Sequence, residues 1–311
     1  MKKLVGLDAM RPPASGSAVT VGTFDGLHIG HRSLIARTIE IARAHDLEST
    51  VLTWDRHPFA TLRPDRVPPL ISSPERRMEL IEEAGVDTLV VLPFDKDFST
   101  WPPEQFVSRV LSLGLAARVV VVGRGWRFGH KAAGDVALLA QLGREVGFSV
   151  EEMPITEAAG GPVSSSRIRA AVSSGDMTLA RTLLGRPFDV DGVVVRGAAR
   201  GAGLGYPTAN LEVDPALVRP ANGVYAGRAR VGDVWYPAAI NVGVVPHFGG
   251  REGETPVKIE AFLLDFEGDL YEQLLRVEFH ERLREERSFQ SVEALIEQMG
   301  RDVEATRAVT C

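Results

Sequence analysis

Cysteine is nearly missing from this sequence. The single one, Cys311, closes the 311-residue chain, which rules out an internal disulfide and makes a buried thiolate nucleophile implausible. A reducing cytoplasm is the expected setting. Long apolar runs are missing too, since nothing approaches the roughly 18 residues that a membrane-spanning helix needs. The opening MKKLVGLDAM runs straight into Arg11-Pro12-Pro13 and has no apolar core of secretory-leader length. A basic excess is also lacking. The net charge is -6 with no basic stripe, which argues against a nucleic-acid binder. No G-x-x-x-x-G-K-[ST] string occurs, so a Walker-type phosphate loop is excluded. What is present is ordinary globular composition, 44% hydrophobic and 24% charged, at a length where two domains are expected.

The most informative stretch is GTFDGLHIGH, Gly22 to His31. The short apolar strand Val19-Thr20-Val21 leads into it, and a helical pattern with Ile35, Ile39 and Ala42 on one face follows. Two histidines thus bracket a glycine where a strand ends and a helix begins. Backbone N–H groups at a helix start lack intrahelical acceptors and carry the positive end of the dipole, so an anion is favoured there. Gly26 and Gly30 keep side chains out of a close backbone approach. His28 and His31 add donors that titrate near neutral pH and can follow developing phosphate charge.

The first half continues as alternating strands and helices. Strands are expected at Ser49–Trp54, Thr88–Leu92, Arg118–Val122 and near Phe148–Val150. Helices are expected after Ser73-Pro74-Glu75, from Pro103 through Leu111, and through Val136, Leu139 and Leu142. This order predicts a doubly wound parallel α/β sheet, whose ligands sit beyond the carboxyl ends of the strands. Three loops fall there: Gly22–His31, Trp54–Pro58 and Gly123–Gly129. Ser164-Ser165-Ser166 then precedes a helical run containing Arg169; it reads either as a helix cap or as a phosphate cradle.

A helix from Met177 to Leu184 stops at Gly185-Arg186-Pro187, and a domain boundary is expected there, giving domains 1–185 and 186–311. Beyond it the texture changes to short alternating strands at Asp191–Arg196, Val224–Val231, Val234–Val242, Val257–Phe266 and Leu270–Phe279. These predict an antiparallel barrel or sandwich. A terminal helix capped by Ser291 is expected to bury Val292, Leu295, Ile296, Met299 and Val303. Within this half, Gly201-Ala202-Gly203-Leu204-Gly205-Tyr206-Pro207-Thr208-Ala209-Asn210 sets a glycine-rich loop beside Thr and Asn oxygens. Such a loop can hold phosphates and orient a hard cation, although a mobile β-turn loop has the same composition.

The string GTFDGLHIGH resembles the H-x-G-H signature of nucleotidyltransferases, and Ser164–Arg169 resembles the S-S-T-x-x-R signature of the same family, with Ser166 replacing threonine. Gly201–Leu211 resembles the P-T-A-N motif of riboflavin kinases; Gly223–Ala226, Asn241–Gly243 and Leu263–Tyr271 match further stretches of that family in order. Over nearly the whole chain the sequence is similar to the bacterial bifunctional riboflavin kinase/FAD synthetase family. The resemblance implies a nucleotidyltransferase domain, a small β-barrel kinase domain and a C-terminal helix. It implies that riboflavin, FMN and ATP are the substrates and Mg²⁺ the cofactor, with no membrane or nucleic-acid partner. By the same resemblance His28 and His31 act in adenylyl transfer, and Gly22, Phe24, Gly30, Ser165, Ser166 and Arg169 bind ATP in the first domain. Gly203, Gly205, Thr208 and Asn210 bind it in the second, Thr208 and Asn210 also hold Mg²⁺, and Glu260 is the general base.

The sequence departs from the family pattern in four places. Gly125 stands where Asn or Asp is usual, followed by Trp126 for Phe. Trp54 replaces Phe and Arg56 a proline; His247 replaces a threonine; Glu272 replaces a glycine. Two other readings stay open at this point: a kinase whose first domain is weakened or regulatory, and a flavin-binding sensor without turnover.

Overall fold

The computed structural model describes residues 1–197, 205–244 and 257–310. They form two compact units, Met1–Pro68 with Pro74–Ser164, and Pro69–Ser73 with Ser165–Cys311. The division falls ahead of the two helices that were expected to end the first domain, rather than after them at residue 185. Among the described residues no helix is long and apolar enough to cross a membrane.

In the first unit the elements run β1 (Lys2–Val5), β2 (Ser17–Val21), α1 (Ile29–Ala44), β3 (Glu48–Trp54), α2 (Pro58–Leu62), α3 (Pro74–Glu83), β4 (Thr88–Leu92), α4 (Lys96–Ser99) and α5 (Pro103–Phe106). Then come β5 (Ala117–Gly123), α6 (Val136–Val146), β6 (Ser149–Met153) and a short hairpin, β7 (Glu157–Ala158) with β8 (Gly161–Pro162). The six longer strands form one parallel sheet in the order β1-β4-β3-β2-β5-β6.

Period-two alternation splits the apolar residues of these strands between two faces. Val19, Val21, Leu52, Val90, Leu92, Val120 and Val122 pack with Phe106, Val110, Leu111 and Leu139 from the α5 and α6 side. Val51, Leu89 and Val91 pack with Ile35, Leu80 and Ile81 from α1 and α3. The doubly wound arrangement follows. From β2 the chain moves through β3 toward β4 on one side, whereas β5 and β6 lie on the other. The order therefore reverses between β2 and β5, and the crevice of such a switch point opens beside the loop that follows β2.

Some local expectations shift. Helix α1 buries Ile35, Thr38, Ile41 and Ala42, while Ile39 is only half-buried. The helix from Pro103 loosens after one turn into the wider π-type Val107–Gly114. The strand expected at Phe148 starts at Ser149, and Phe148 joins the core instead.

The second unit contains α7 (Ser165–Ser174), α8 (Met177–Leu184), β9 (Phe188–Val195), β10 (Ala209–Val213), β11 (Gly223–Val231), β12 (Val234–Val244), β13 (Val257–Leu263), β14 (Leu274–Arg284) and α9 (Val292–Thr310). Its strands pair antiparallel in a closed barrel, β10-β13-β12-β11-β14-β9. The interior is filled by inward-facing residues such as Phe188, Tyr225, Ile240, Ala261 and Phe279. Tyr225 meets Phe279 edge-on at 5.4 Å between ring centres.

Helix α9 corrects the expected apolar stripe. Leu295, Met299 and Val303 are half-buried, Val292 and Ile296 are exposed, and the buried positions are Asp302 and Thr306. Ser291 does cap the helix, accepting from the Ala294 N–H at 3.2 Å. The reason for the rest is a tertiary ion pair: the Arg284 guanidinium of β14 grips the Asp302 carboxylate at 2.7 Å, and Gln298 donates to the same group at 2.8 Å.

Candidate active sites

In the first unit the loop after β2 makes a tight 3₁₀ turn, Asp25–Leu27, and then enters α1. Its sharpness comes from left-handed backbone at Phe24 (φ 51°) and Gly26 (φ 75°). Such conformations tend to persist where surrounding structure holds them, often at functional sites. His28 is the cap of α1: its Nδ1 accepts the His31 backbone N–H at 3.2 Å. The two imidazoles stack 3.6 Å apart at 15°, and Phe24 closes against His31 edge-on at 5.2 Å. Gly22 and Gly30 have packing reasons. A Cβ on Gly22 would come within 3.1 Å of the Phe24 ring, and one on Gly30 within 3.3 Å of the His28 ring. Phe24 itself is fully buried and forms the floor beneath His31.

This geometry corrects the expected titration. Burial pushes His28 down to about 4, and burial together with the neighbouring His28 holds His31 well below the ordinary histidine range. Both rings are therefore neutral before a ligand arrives. A neutral His28 that accepts at Nδ1 carries its proton on Nε2, and so remains a donor toward an anion. Two stacked rings could not both be charged without repulsion, so charge complementarity begins with the N–H dipoles of the helix start.

The remaining loops of this unit are tied together by a residue the sequence reading passed over. Arg77 of α3 is 5% exposed, and its guanidinium donates to the Thr23 carbonyl at 3.1 Å and the Trp54 carbonyl at 2.7 Å. It thereby joins the ends of β2 and β3, where two of the three motif loops begin. The signal was present: Arg77, Leu80 and Ile81 share one helical face, so Arg77 had to point inward.

Trp54 is absorbed in an aromatic cluster with Phe94 and Phe98 at 5.4 and 5.3 Å. Arg56 pairs with Asp55 at 2.8 Å. Trp126 stacks on Phe128 at 4.9 Å. Gly125 has φ +76°, left-handed backbone, and nothing lies within 4 Å of an added Cβ. Gly, Asn and Asp are the residues that tolerate this conformation, which explains why glycine can stand where Asn or Asp is usual.

Ser165 and Ser166 occupy the first turn of α7. Arg169, on the same helix, donates to the Pro69 carbonyl at 2.6 Å. These three lie in the second compact unit and the histidine loop in the first.

In the barrel, register does what sequence distance conceals. Asn210 of β10 and Asn241 of β12 both lie directly opposite Glu260 of β13. Directly opposed residues project to the same face, so one row of side chains reads Asn210, Glu260, Asn241. Alternation along β13 puts Ile259, Ala261 and Leu263 inside the barrel and Lys258, Glu260 and Phe262 outside. Asn210 is 6% exposed, and its Oδ1 finds no hydrogen-bond partner among the described residues. Its Nδ2 donates to the Thr208 carbonyl at 3.4 Å, tying the two motif residues together. Gly205 is exposed with φ +86°. Gly203 and His247 lie outside the described residues.

Sequence reading also missed Lys258, whose Nζ donates to Glu260 Oε1 at 2.6 Å, although the spacing i, i+2 on a strand sets both on one face. Among the described residues no cluster of three or more His, Cys, Asp or Glu side chains could hold a metal ion.

A family model described as FAD synthetase matches residues 11–167, and one described as riboflavin kinase matches residues 184–310. A protein of Pseudomonas fluorescens named bifunctional riboflavin kinase/FMN adenylyltransferase is 36% identical over 309 residues, covering 99% of this chain and 98% of its own. A protein of the same name from Bacillus subtilis is 34% identical over 92% of this chain and 90% of its own. A crystal structure described as a macrolide-efflux protein from Streptococcus pneumoniae is 30% identical, with a TM-score of 0.88 and 99% of each chain covered. A histidine-capped helix at the sheet's switch point, a carboxylate–amide row on a closed barrel, and similarity running the length of both place the chain in the bifunctional riboflavin kinase/FMN adenylyltransferase family.

Proposed function

We propose that the chain phosphorylates riboflavin with ATP to give FMN, and then adenylylates FMN with a second ATP to give FAD and pyrophosphate. The main support is the register that sets Glu260 opposite Asn210 on the barrel. A primary ribityl hydroxyl is a poor nucleophile, and a carboxylate beside the nucleotide site is the group it needs. In this reading Glu260 takes the hydroxyl proton as oxygen attacks the γ-phosphorus, and ADP leaves with the bonding pair. A base of this kind supplies about 10²–10⁴-fold, and the rest comes from positioning and charge neutralisation.

The donor set near Asn210 fits Mg²⁺. A buried amide oxygen without a partner among the described residues and a threonine hydroxyl are the oxygen ligands a hard cation takes, the remainder being phosphate and water. Thr208 and Asn210 would hold the ion, which when bound neutralises charge on the transferring phosphoryl. Gly203 and Gly205 are assigned to the phosphates on the motif.

For adenylyl transfer, FMN brings an ionised phosphate that needs no base. Attack on the α-phosphorus of ATP forms one P–O bond and releases pyrophosphate. Gly22 and Gly30 admit the nucleotide to the loop, with Phe24 as its floor. The His28 Nε2–H, His31 and the helix start stabilise the leaving group; the ATP-binding role of Ser165, Ser166 and Arg169 rests on their motif alone. We assign adenylyl transfer to residues 1–185, the kinase to 186–311 and the whole activity to the cytoplasm.

The test is to incubate the purified chain with Mg-ATP and riboflavin and separate the flavins by chromatography. FMN appearing first and FAD after it is the expected course. FMN accumulating without FAD defeats the adenylyltransferase half, and no FMN at all defeats the kinase half.

A further inference from the structure

Lys258 and Glu260 sit two residues apart on β13, project from the same outer face and form a 2.6 Å ion pair. Both side chains remain partly exposed, at 32% and 26%, so solvent reaches the pair. Glu260 is flanked across the strands by Asn210 and Asn241. Lys258 is flanked across β12 by Gly243, and the Glu286 carboxylate occupies the place a Gly243 side chain would take. Among the described residues Lys258 thus adds a cation to a row of amides and carboxylates. We propose that Lys258 is a further catalytic residue of the kinase reaction: it pairs with Glu260 before transfer and with the moving phosphoryl group during it.

The inference rests on Glu260 as the base and follows from where charge goes. Before reaction Lys258 neutralises the Glu260 carboxylate and fixes its orientation between the two asparagines. As the ribityl O–H proton passes to Glu260, that group loses its negative charge. The new O–P bond forms, the bond from the γ-phosphorus to the bridging oxygen breaks, and ADP takes the electron pair. Negative charge is then concentrated on the phosphoryl oxygens, beside an ammonium whose first partner has been discharged. An ammonium on a flexible four-carbon stem can follow it without any backbone movement. Interactions that strengthen only as charge develops raise kcat rather than affinity.

The experiment measures FMN formation by the full chain and by its Lys258→Met, Lys258→Arg and Glu260→Gln variants, with kcat and KM for riboflavin and for ATP. Lys258→Met is expected to lower kcat by on the order of 10²-fold with both KM values little changed. Lys258→Arg keeps the charge and is expected to recover most of that loss. Cooperative thermal unfolding of both variants at the native temperature shows an intact barrel. A normal kcat in Lys258→Met overturns the inference, as does a loss confined to KM, or an equal loss in the Met and Arg variants. Glu260→Gln separates the two levels of the argument. If it still makes FMN at the native rate the base assignment falls, whereas an inactive Glu260→Gln beside a normal Lys258→Met removes Lys258 alone.

Discussion

Asn210 and Glu260 face each other across two antiparallel strands of the barrel, the amide buried and the carboxylate held by Lys258. An acceptor for a hydroxyl proton and an oxygen donor for a cation therefore share one face. Glu260→Ala is expected to lower FMN formation by about 10²–10⁴-fold while FAD formation from supplied FMN continues. Chromatography of both reactions checks this, and a variant with native FMN formation refutes the assignment.

The buried histidines give the protein a specific acid sensitivity. His28 takes its proton near pH 4 in the folded chain, and a histidine in the unfolded chain near 6.5. Between these values the unfolded chain binds more protons, so the contribution is complete above about pH 6.5 and is lost as pH falls toward 4. At about 1.36 kcal/mol per unit the full loss is about 3 kcal/mol. Denaturant unfolding at about pH 7.5 and about pH 4.5 should show the native chain losing roughly 2–3 kcal/mol more than His28→Gln. Equal losses in the two proteins would contradict it.

Gly125 offers a gain-of-function test. Its left-handed backbone suits asparagine, and the space around an added Cβ is open. Gly125→Asn is expected to fold normally and to raise kcat/KM for FAD formation by about two- to tenfold, the worth of one added hydrogen bond of about 0.5–1.5 kcal/mol. FMN formation should not change. A drop in FAD formation would show that the bare backbone is what this loop requires.

Arg77 should matter to one reaction only. Arg77→Met takes the guanidinium donor from the Trp54 carbonyl, at a cost of about 1–3 kcal/mol, while the Thr23 carbonyl keeps the Thr53 hydroxyl at 3.3 Å. Urea unfolding followed by Trp fluorescence measures that cost. FAD formation is expected to fall well below native while FMN formation persists. Native stability in the variant would remove Arg77 as the tie between the two loops.

The sequence carries the inner part of the sheet well because β2, β3 and β4 are buried on both faces. Thr88–Leu92 is a continuous buried run, recognisable without knowing its neighbours. The histidine loop is legible for a related reason: strand, turn and helix cap are contiguous, and the chemistry is local. Position 125 is legible only once φ is known, because a glycine that replaces an amide looks like a loss until its backbone is seen to be left-handed. Two of the failures share one cause, a distant partner. Nothing around Asp302 announces that Arg284 will bury it, so the apolar pattern of α9 finds Leu295 and Met299 but misses Asp302 and Thr306 on the same face. The row of Asn210, Glu260 and Asn241 is likewise set by barrel register, which no local pattern encodes.

Closure of the barrel through the pairing of β9 with β10 leaves its six-strand ring without an unpaired rim. Among the described residues no strand of the ring is an edge strand, so a foreign strand finds none there to extend. What meets the described ring, whether nucleotide, flavin or protein, meets side chains and loops rather than the end of a sheet.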